Sequence, residues 1–175
     1  HYLHNQPGGA RYDDMAEMTA RIYAAASQTG IGLTHLPVLY SYGGAGAVEL
    51  SAGQKRFGNS VDQFAALLEK ARHAATALPA DTVVGIAPHS LRATTPADLA
   101  RTLPLGQGAP IHIHVAEQPK EVADISAWLG ARPVEWLLNN TDIGANWCAI
   151  HATHMTEDET RRLARSGAVA GLCPI

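Results

Sequence analysis

Short apolar stretches alternate along this chain with segments in which apolar residues recur every three or four positions. The short stretches predict buried strands, and the recurring pattern predicts helices that pack one face against them. We expect strands over residues 31–40, 82–88, 110–115, 147–152 and 168–173. The helices between them begin at capping residues, namely Asp13 and Asp14, Ser60 with Gln63, Thr95 with Pro96, Pro119, Pro133, and Thr156 with Glu159.

Apolar strands that alternate with helices predict an α/β fold, in which helices cover a parallel sheet. Two architectures fit this pattern. An open, doubly wound sheet suits a complete chain of 175 residues. A (β/α)8 TIM barrel takes about 250 residues, so a chain of this length holds only about five or six of its eight units. The pattern of elements alone leaves both architectures open.

Composition narrows the class of function. The chain is 46% hydrophobic and 17% charged, which argues against a disordered segment. Its net charge is −3 without a basic block, so we expect no nucleic-acid partner, and no apolar run approaches the ~20 residues of a membrane-spanning helix. Without a signal peptide, the expected location is the cytoplasm. Nine histidines exceed the needs of packing and favour a metal-dependent or acid–base enzyme.

Four predicted strands end in residues capable of chemistry. His89, His114 and His151 each stand at or just after such an end, Glu117 follows His114 by three residues, and Tyr40 precedes a glycine-rich loop. In parallel α/β folds the carboxyl ends of the strands lie on one side of the sheet. We therefore expect these side chains to share one cleft.

The segment IHIHVAEQ places His112 and His114 on one face of a strand, because alternate residues point the same way. Two such imidazoles can both bind zinc. His112 lies nearer the start of the strand, where a hydrogen-bonded core histidine is the favoured interpretation. Glu117 is spaced to move protons beside a metal-activated water, and a solvated carboxylate at a helix start is the alternative.

Two further segments offer a similar choice. In AIHATHM, His151 lies where an apolar strand meets a polar turn, and we interpret His154 on that turn as merely hydrogen-bonded. In IAPHSLRA, Arg92 suits the bidentate binding of a carboxylate or phosphate. A surface ion pair with Asp98 or Glu17 is the alternative interpretation of Arg92.

An ordered series of motifs runs through nearly the whole chain: LPVLYSYGGAG, GQKRF, GIAPHSLRA, HIHVAEQPKEV, RPVEWL and HATH. The series resembles the deaminase branch of the amidohydrolase superfamily, and within it the formimidoylglutamate deiminase family. This resemblance implies a zinc-dependent (β/α)8 barrel. Residues 1–175 would form part of a single catalytic domain, from about strand two to strand seven, truncated at both ends.

The resemblance also implies roles for individual residues. His114 matches a zinc ligand, Glu117 the carboxylate that relays protons, and His151 the histidine that polarises the attacking water. The residues that match those holding the substrate's carboxylates are His89, Arg92 and Tyr2. The implied reaction, in histidine degradation, converts N-formimidoyl-L-glutamate, a small dicarboxylate, into N-formyl-L-glutamate and ammonia, in an enzyme that we expect to be a homodimer at full length.

The family's remaining zinc ligands, a His-x-His pair on the first strand and an Asp on the eighth, have no counterpart in this sequence. We therefore expect a segment of a longer enzyme, inactive alone and a poor binder of zinc. Two alternatives stay open. One is another amidohydrolase-type deaminase, acting on a purine, pyrimidine or triazine ring. The other is a non-catalytic doubly wound α/β binding module whose histidines are structural.

Overall fold

The computed structural model describes residues 3–174. Its α-helices are α1 (Glu17–Thr29), α2 (Val61–Ala75), α3 (Pro96–Thr102), α4 (Pro119–Leu129), α5 (Pro133–Asn140) and α6 (Glu157–Ser166), and a 3-10 turn covers Leu103–Gly106. Its strands are β1 (Thr34–His35), β2 (Val38–Leu39), β3 (Val83–Val84), β4 (Ala87–Pro88), β5 (Ile111–Val115), β6 (Trp147–His151) and β7 (Val169–Gly171). Every pairing between these strands is parallel, so the predicted α/β class is confirmed.

β1 and β2 are successive pieces of one strand, and β3 and β4 are successive pieces of the next. Counted in this way, the strands lie side by side in the order in which they occur along the chain. β1 pairs with β3 and β2 with β4, while β5, β6 and β7 form a three-stranded sheet. Parallel bridges from Ile86 to Ile111 and from Ser90 to His114 join the first group to the second. Within residues 3–174, no strand is inserted out of sequence, so this part of the chain contains no reversal of strand order.

The two strands predicted over 31–40 and 82–88 are each divided into two short pieces, but their pairing continues across the gaps. The amides of residues 83, 85, 87 and 89 donate in turn to the carbonyls of 33, 35, 37 and 39 at 2.8–3.0 Å. Pro37 lacks an amide hydrogen and interrupts the reciprocal bonds. At Gly85, an added Cβ would lie 2.2 Å from the carbonyl oxygen of Pro110, so only glycine admits this close approach.

Capping residues fix several helix starts as the sequence predicts. Ser60 and Gln63 bond reciprocally at the start of α2, with the Ser60 amide donating to Gln63 Oε1 at 2.9 Å. Thr156 and Glu159 do the same for α6. α1 begins later than the prediction from Asp13 and Asp14, since Asp14 Oδ1 accepts a hydrogen bond from the Ala16 amide and the helix begins at Glu17.

The core lies between the strands and the helices that follow them. Phe64 and Leu68 of α2, Ile125 of α4 and Leu137 of α5 are at most 1% exposed and share one apolar cluster with Ile113 of β5. On β5, Ile111, Ile113 and Val115 are buried, which turns the intervening histidines to the opposite face. In the part of the chain that the structure describes, no helix has the length and apolar character to cross a membrane.

Candidate active site

Four aromatic rings form a row at the carboxyl ends of neighbouring strands. The Tyr40 ring, just after β2, meets the His89 ring edge-on with centroids 4.6 Å apart. His89, just after β4, stacks on His114 of β5 at 4.6 Å, and His114 lies 5.6 Å from His151 of β6. The expected convergence of strand-end side chains therefore occurs, because consecutive parallel strands present their carboxyl ends at one edge.

The carbonyl of His89 fixes the orientation of the His114 ring. It accepts hydrogen bonds from the His114 backbone amide and from His114 Nδ1, both at 2.9 Å. Donation from Nδ1 leaves Nε2 as the unprotonated nitrogen of the neutral imidazole. A backbone carbonyl bound to one ring nitrogen is the usual arrangement when the other nitrogen binds a metal.

Partial burial lowers the pKa of two histidines of this row, His89 and His114. Desolvation, helped by the nearby His114 and Arg92, lowers the pKa of His89 to about 3. Desolvation likewise lowers the pKa of His114, and the neighbouring His151 adds to the effect. His89 Nδ1 lies 3.0 Å from the hydroxyl of Ser90, which is fully buried. Neutral imidazoles can accept a proton or bind a metal, which their charged forms cannot do.

Glu117 lies between an imidazole and a guanidinium. Its Oε1 is 3.6 Å from His151 Nε2, and its Oε2 accepts a hydrogen bond from Arg92 Nη2 at 3.0 Å. The side chain is 31% exposed, so solvent and a small ligand can reach it. The alternative of a carboxylate that is merely solvated at a helix start does not describe this geometry.

Arg92 turns inward to the site. Its guanidinium pairs with Glu117, and its Nε lies 3.9 Å from Oε2 of the buried Glu121. The alternative partners expected from sequence, Asp98 and Glu17, bond elsewhere: Asp98 with the Thr95 hydroxyl, and Glu17 with an arginine of α1. Arg92 Nε is buried without a hydrogen-bond partner among the described residues. The Arg92 side chain as a whole is 32% exposed, so its remaining N–H groups can bind an anionic ligand.

Two turns at the site adopt left-handed backbone conformations at residues other than glycine. Ala116 has φ 52°, His151 φ 70° and Ala152 φ 50°. The turns are joined by hydrogen bonds from the His154 amide to the Ala116 carbonyl and from the Ala152 amide to the Val115 carbonyl, each 3.0 Å long. Such conformations persist only where surrounding contacts hold them, and they are frequent at functional sites.

The structure brings together five of the residues that the sequence singled out, namely His89, Arg92, His114, Glu117 and His151. Tyr2, the sixth, lies outside the described residues. His112 shares the face of His114 but sits two residues nearer the start of β5.

Sequence reasoning missed two contributors, Ser90 and Glu121, and left Tyr40 without a role. The Ser90 hydroxyl contacts Nδ1 of His89, and the Glu121 carboxylate accepts a hydrogen bond from the Glu117 amide. The one available signal for Glu121 was its place in the first turn of a helix, four residues after Glu117. That signal is ambiguous, because a glutamate at this position is usually exposed and helix-stabilising.

The residues present fit a metal only in part. The hydrogen bond from His114 Nδ1 orients the ring and leaves Nε2 unprotonated. The lowered pKa of His114 favours the neutral ring, which is the form that binds a metal. Among residues 3–174, however, no three His, Cys, Asp or Glu side chains are grouped so as to hold a metal ion. The described part of the chain therefore presents one suitable donor and an adjacent carboxylate, and not a complete ligand set.

Comparison with known proteins gives this geometry a context. No family model matches the chain. The chain is 48% identical over 174 residues to the formimidoylglutamate deiminase of Pseudomonas aeruginosa, an alignment that covers 99% of this chain and 38% of that protein. The resemblance to formimidoylglutamate deiminase is confirmed. The chain is also 34% identical over 109 residues to a 5-methylthioadenosine/S-adenosylhomocysteine deaminase of Nitratidesulfovibrio vulgaris, an alignment that covers 61% of this chain and 25% of that protein.

One solved structure is similar to this chain in both sequence and fold, and a second is similar in fold alone. An amidohydrolase from Brucella melitensis superposes with a TM-score of 0.96 and 51% identity, covering 99% of this chain and 39% of that one. An adenosine deaminase from Xanthomonas campestris with bound zinc gives a TM-score of 0.72 at 24% identity, over 89% of this chain and 33% of that one, and shows likeness of fold alone. The chain thus spans well under half the length of these relatives.

Proposed function

We propose that this chain is part of a zinc-dependent enzyme that hydrolyses N-formimidoyl-L-glutamate to N-formyl-L-glutamate and ammonia. The observation that carries the proposal is the position of Glu117 between His151 and Arg92 at the end of β5. A carboxylate in this position can relay protons and lies beside a guanidinium that can bind an anionic substrate. The 48% identity to a formimidoylglutamate deiminase supports this choice of substrate.

We propose further that the strands form part of the wall of a (β/α)8 barrel, from about the second strand to the seventh. Support comes from the sequential order of the strands, since a doubly wound sheet reverses its strand order at the switch point where it binds ligands. Consecutive parallel neighbours without such a reversal are the arrangement of a barrel. The remaining strands would be supplied by sequence outside these 175 residues.

Zinc would be held by His114 Nε2 together with ligands from outside this chain. When bound, the ion supplies Lewis-acid activation of a water molecule. The geometry of His114 supports the role of ligand, because its Nδ1 is already committed to the His89 carbonyl. The chain by itself is expected to bind zinc poorly and to be inactive, and stoichiometric zinc in the isolated chain by metal analysis would contradict this part of the proposal.

The chain's own residues then move the protons of a balanced hydrolysis. Glu117 takes one proton from the attacking water as its oxygen bonds to the formimidoyl carbon, and passes it to the imino nitrogen. It then takes the second proton from the resulting hydroxyl group and passes it to the same nitrogen, which leaves as ammonia. His151 Nε2, 3.6 Å from Glu117 Oε1, orients the same water and polarises it. The C=N bond is replaced by C=O, and the second nitrogen stays attached to the glutamate.

Substrate recognition falls to Arg92 and His89. The Arg92 side chain is 32% exposed, and the guanidinium has N–H donors beyond the Nη2 group that binds Glu117, so it can bind a substrate carboxylate. His89 lies within the same row of rings and presents a neutral imidazole. We assign Tyr2 to the same role on the resemblance alone.

The test is a substrate panel with the full-length, zinc-loaded protein. Ammonia release from N-formimidoyl-L-glutamate is measured against 5′-methylthioadenosine, S-adenosylhomocysteine, adenosine and guanine. We expect kcat/KM for formimidoylglutamate to exceed the others by at least about 1000-fold. Methylthioadenosine, adenosine and guanine offer no carboxylate to Arg92, and S-adenosylhomocysteine carries its carboxylate far from the base that would lose ammonia. Preferential deamination of a nucleoside would instead favour the second candidate, a deaminase of the kind to which the chain is 34% identical.

Two further proposals concern the whole protein. The full-length enzyme is a homodimer, which light scattering tests directly. It works in the cytoplasm on a small dicarboxylate, without a nucleic-acid or membrane partner. Fractionation of cells that express the full-length protein, with activity assayed in each fraction, tests the location.

A further inference from the structure

A buried glutamate stands directly behind Glu117. Glu121 lies in the first turn of α4, and its side chain is only 2% exposed. Its Oε1 accepts a hydrogen bond from the Ala116 amide at 3.1 Å, and its Oε2 accepts one from the Glu117 amide at 2.9 Å. One carboxylate thus binds two successive amides of the loop that carries Glu117.

This arrangement differs from an ordinary capping box. In α2 and α6, the third helical residue returns to the amide of the residue that caps the helix, Ser60 or Thr156. In α4, Glu121 is also the third helical residue, but the side chain of Gln118 at the cap makes no capping hydrogen bond, and Glu121 binds the amides of Ala116 and Glu117 instead. Glu121 reaches past the cap to the loop, so it shapes the loop and does not merely begin the helix.

The loop needs such a support. Ala116 has φ 52°, a left-handed conformation that a residue other than glycine adopts only under constraint. The carboxylate binds the amides on both sides of the Ala116 α-carbon, and the Ala116 carbonyl accepts a hydrogen bond from His154. This turn directs the side chain of Glu117 towards His151 and Arg92.

Arg92 connects the two carboxylates. Its Nη2 donates to Glu117 at 3.0 Å, and its Nε lies 3.9 Å from Glu121. A buried carboxylate is costly unless hydrogen bonds and a cation compensate it, and Glu121 has both. The buried charge of Glu121 is therefore compensated by two amides of this loop and by Arg92.

We infer that Glu121 is a positioning residue that holds Glu117 against His151 through the backbone of the turn at residues 116–117. The inference rests on the proposed role of Glu117 in the hydrolysis. Glu121 itself makes no contact with the reacting atoms in this role. Its contribution to the rate would pass entirely through Glu117.

The first test is Glu121→Gln in the full-length, zinc-loaded enzyme. The amide has one oxygen in place of two, and its NH2 group faces a backbone N–H, so one of the two anchoring bonds is lost. We expect kcat to fall about 10- to 100-fold while KM changes less than about threefold, since a small misplacement of a reacting group costs rates of this order. An unchanged kcat would overturn the inference.

Glu159→Gln is the matched control. Glu159 is equally buried, with a side chain 4% exposed, and it binds the amides of Glu135 and Thr156 and the guanidinium of Arg132, away from the row of rings. We expect it to lower the melting temperature at least as much as Glu121→Gln but to change kcat less than about threefold. An equal loss of kcat in both variants would show a general effect of burying an amide and would overturn the inference.

A double-mutant cycle separates positioning from stability. In a Glu117→Gln background, Glu121→Gln should cost less than about threefold in residual kcat, because there is no carboxylate left to position. A second loss as large as in the unsubstituted enzyme would contradict the inference. If Glu121→Gln does not fold, Glu121→Asp, which keeps the charge but is one methylene shorter, takes its place in the cycle with the same expectations.

Hydrogen exchange provides a readout that does not depend on activity. Glu121→Gln should increase exchange at residues 116–117 by more than about 10-fold, and Glu159→Gln should leave that segment unchanged. If the unsubstituted protein releases no ammonia from formimidoylglutamate, the proposed function fails. If exchange at 116–117 is unaffected by Glu121→Gln, the positioning inference fails, whatever the substrate.

Discussion

Two groups of histidines whose pKa values are lowered by desolvation occupy different parts of this molecule. His4 and His35 lie in the amino-terminal part, at 7% and 3% exposure, and His89 and His114 belong to the row of rings at the strand ends. Desolvation lowers the pKa of His4 and of His35 to about 4, and that of His89 to about 3. The direction of the pKa shift therefore does not distinguish the two groups, although His89 and His114 are only partly buried.

Their surroundings do distinguish them. His4 Nε2 lies 2.7 Å from the Val38 carbonyl oxygen, and His35 packs its ring edge-on against Tyr23 with Nε2 3.3 Å from the Thr19 hydroxyl. These contacts tie α1 and the amino-terminal segment to the first strands. The rings of the row lie beside a half-exposed carboxylate at the carboxyl ends of strands. Place in the fold, and not the pKa shift, is thus the better guide to function.

The largest effect is expected from removing the Glu117 carboxylate, the proposed proton carrier beside the row of rings. Glu117→Gln in the full-length enzyme should lower kcat about 1000-fold, within the range attributed to general acid–base groups, because the amide cannot carry the proton. Zinc content should stay at one per chain. Steady-state ammonia release and metal analysis measure both.

Glu157→Gln is the control for this change, since the Glu157 side chain is 79% exposed on α6 and pairs only with Arg161. It should leave kcat unchanged. A Glu117→Gln enzyme that retains more than a tenth of its activity would remove Glu117 from the proton relay.

The next comparison is within one strand. His114 and His112 share a face of β5, but only His114 stands at its carboxyl end. His114→Asn should weaken zinc binding by more than about 100-fold. This exceeds the usual loss when a residue that only hydrogen-bonds to a metal ligand is replaced. His112→Asn should keep zinc and most activity. Dialysis against a competing chelator followed by metal analysis compares the two, and equal zinc loss in both would show that position on the strand does not decide the role.

Arg92 is expected to show a smaller effect, mainly on substrate binding. Arg92→Met should raise KM for formimidoylglutamate roughly 10- to 100-fold, the factor that corresponds to loss of a hydrogen bond to a charged group. A smaller fall in kcat is expected, because Arg92 also holds Glu117. Arg101→Met, which removes only an exposed ion pair with Asp62, is the matched control. A loss confined to kcat would contradict carboxylate binding.

Much of this site could be predicted because local rules determine it. Thr95, Pro119 and Thr156 mark the starts of α3, α4 and α6, and these helix starts in turn place the strand ends that carry His89, His114 and His151. Parallel pairing then brings the strand ends to one edge. The site follows from this geometry without a knowledge of distances.

The contacts that act across the strands could not be predicted. The pairing of Arg92 with Glu117 joins residues 25 positions apart, and the burial of Glu121 depends on how α4 packs against the preceding loop. The interruption of the first two strands reflects Pro37 and the approach of Pro110 to Gly85, which only the sheet as a whole reveals. The periodicity of a sequence indicates which face of a helix or strand is apolar. It does not indicate which polar side chains contact one another.

The smallest expected effect concerns the amino-terminal histidines and appears in stability alone. The unfolded chain binds a proton at His35 near pH 6.5, whereas burial lowers the pKa of the folded residue to about 4. The unfolded state therefore binds more protons between these values, and the folded state loses stability as the pH falls. The contribution of His35 is present in full above about pH 6.5, and about 2 kcal/mol of it is lost between pH 7 and pH 5.

His35→Phe should remove this part of the pH dependence while leaving kcat at pH 7 unchanged. Urea unfolding of the full-length protein gives the free energy of unfolding at pH 7 and at pH 5. Between these two pH values the unsubstituted protein should lose about 2 kcal/mol more than the His35→Phe variant. His73→Phe, on the exposed side of α2, is the matched control and should not alter the pH dependence. A loss of turnover in His35→Phe without loss of stability would overturn the division of the histidines, because it would place a role in the reaction among the contacts of α1.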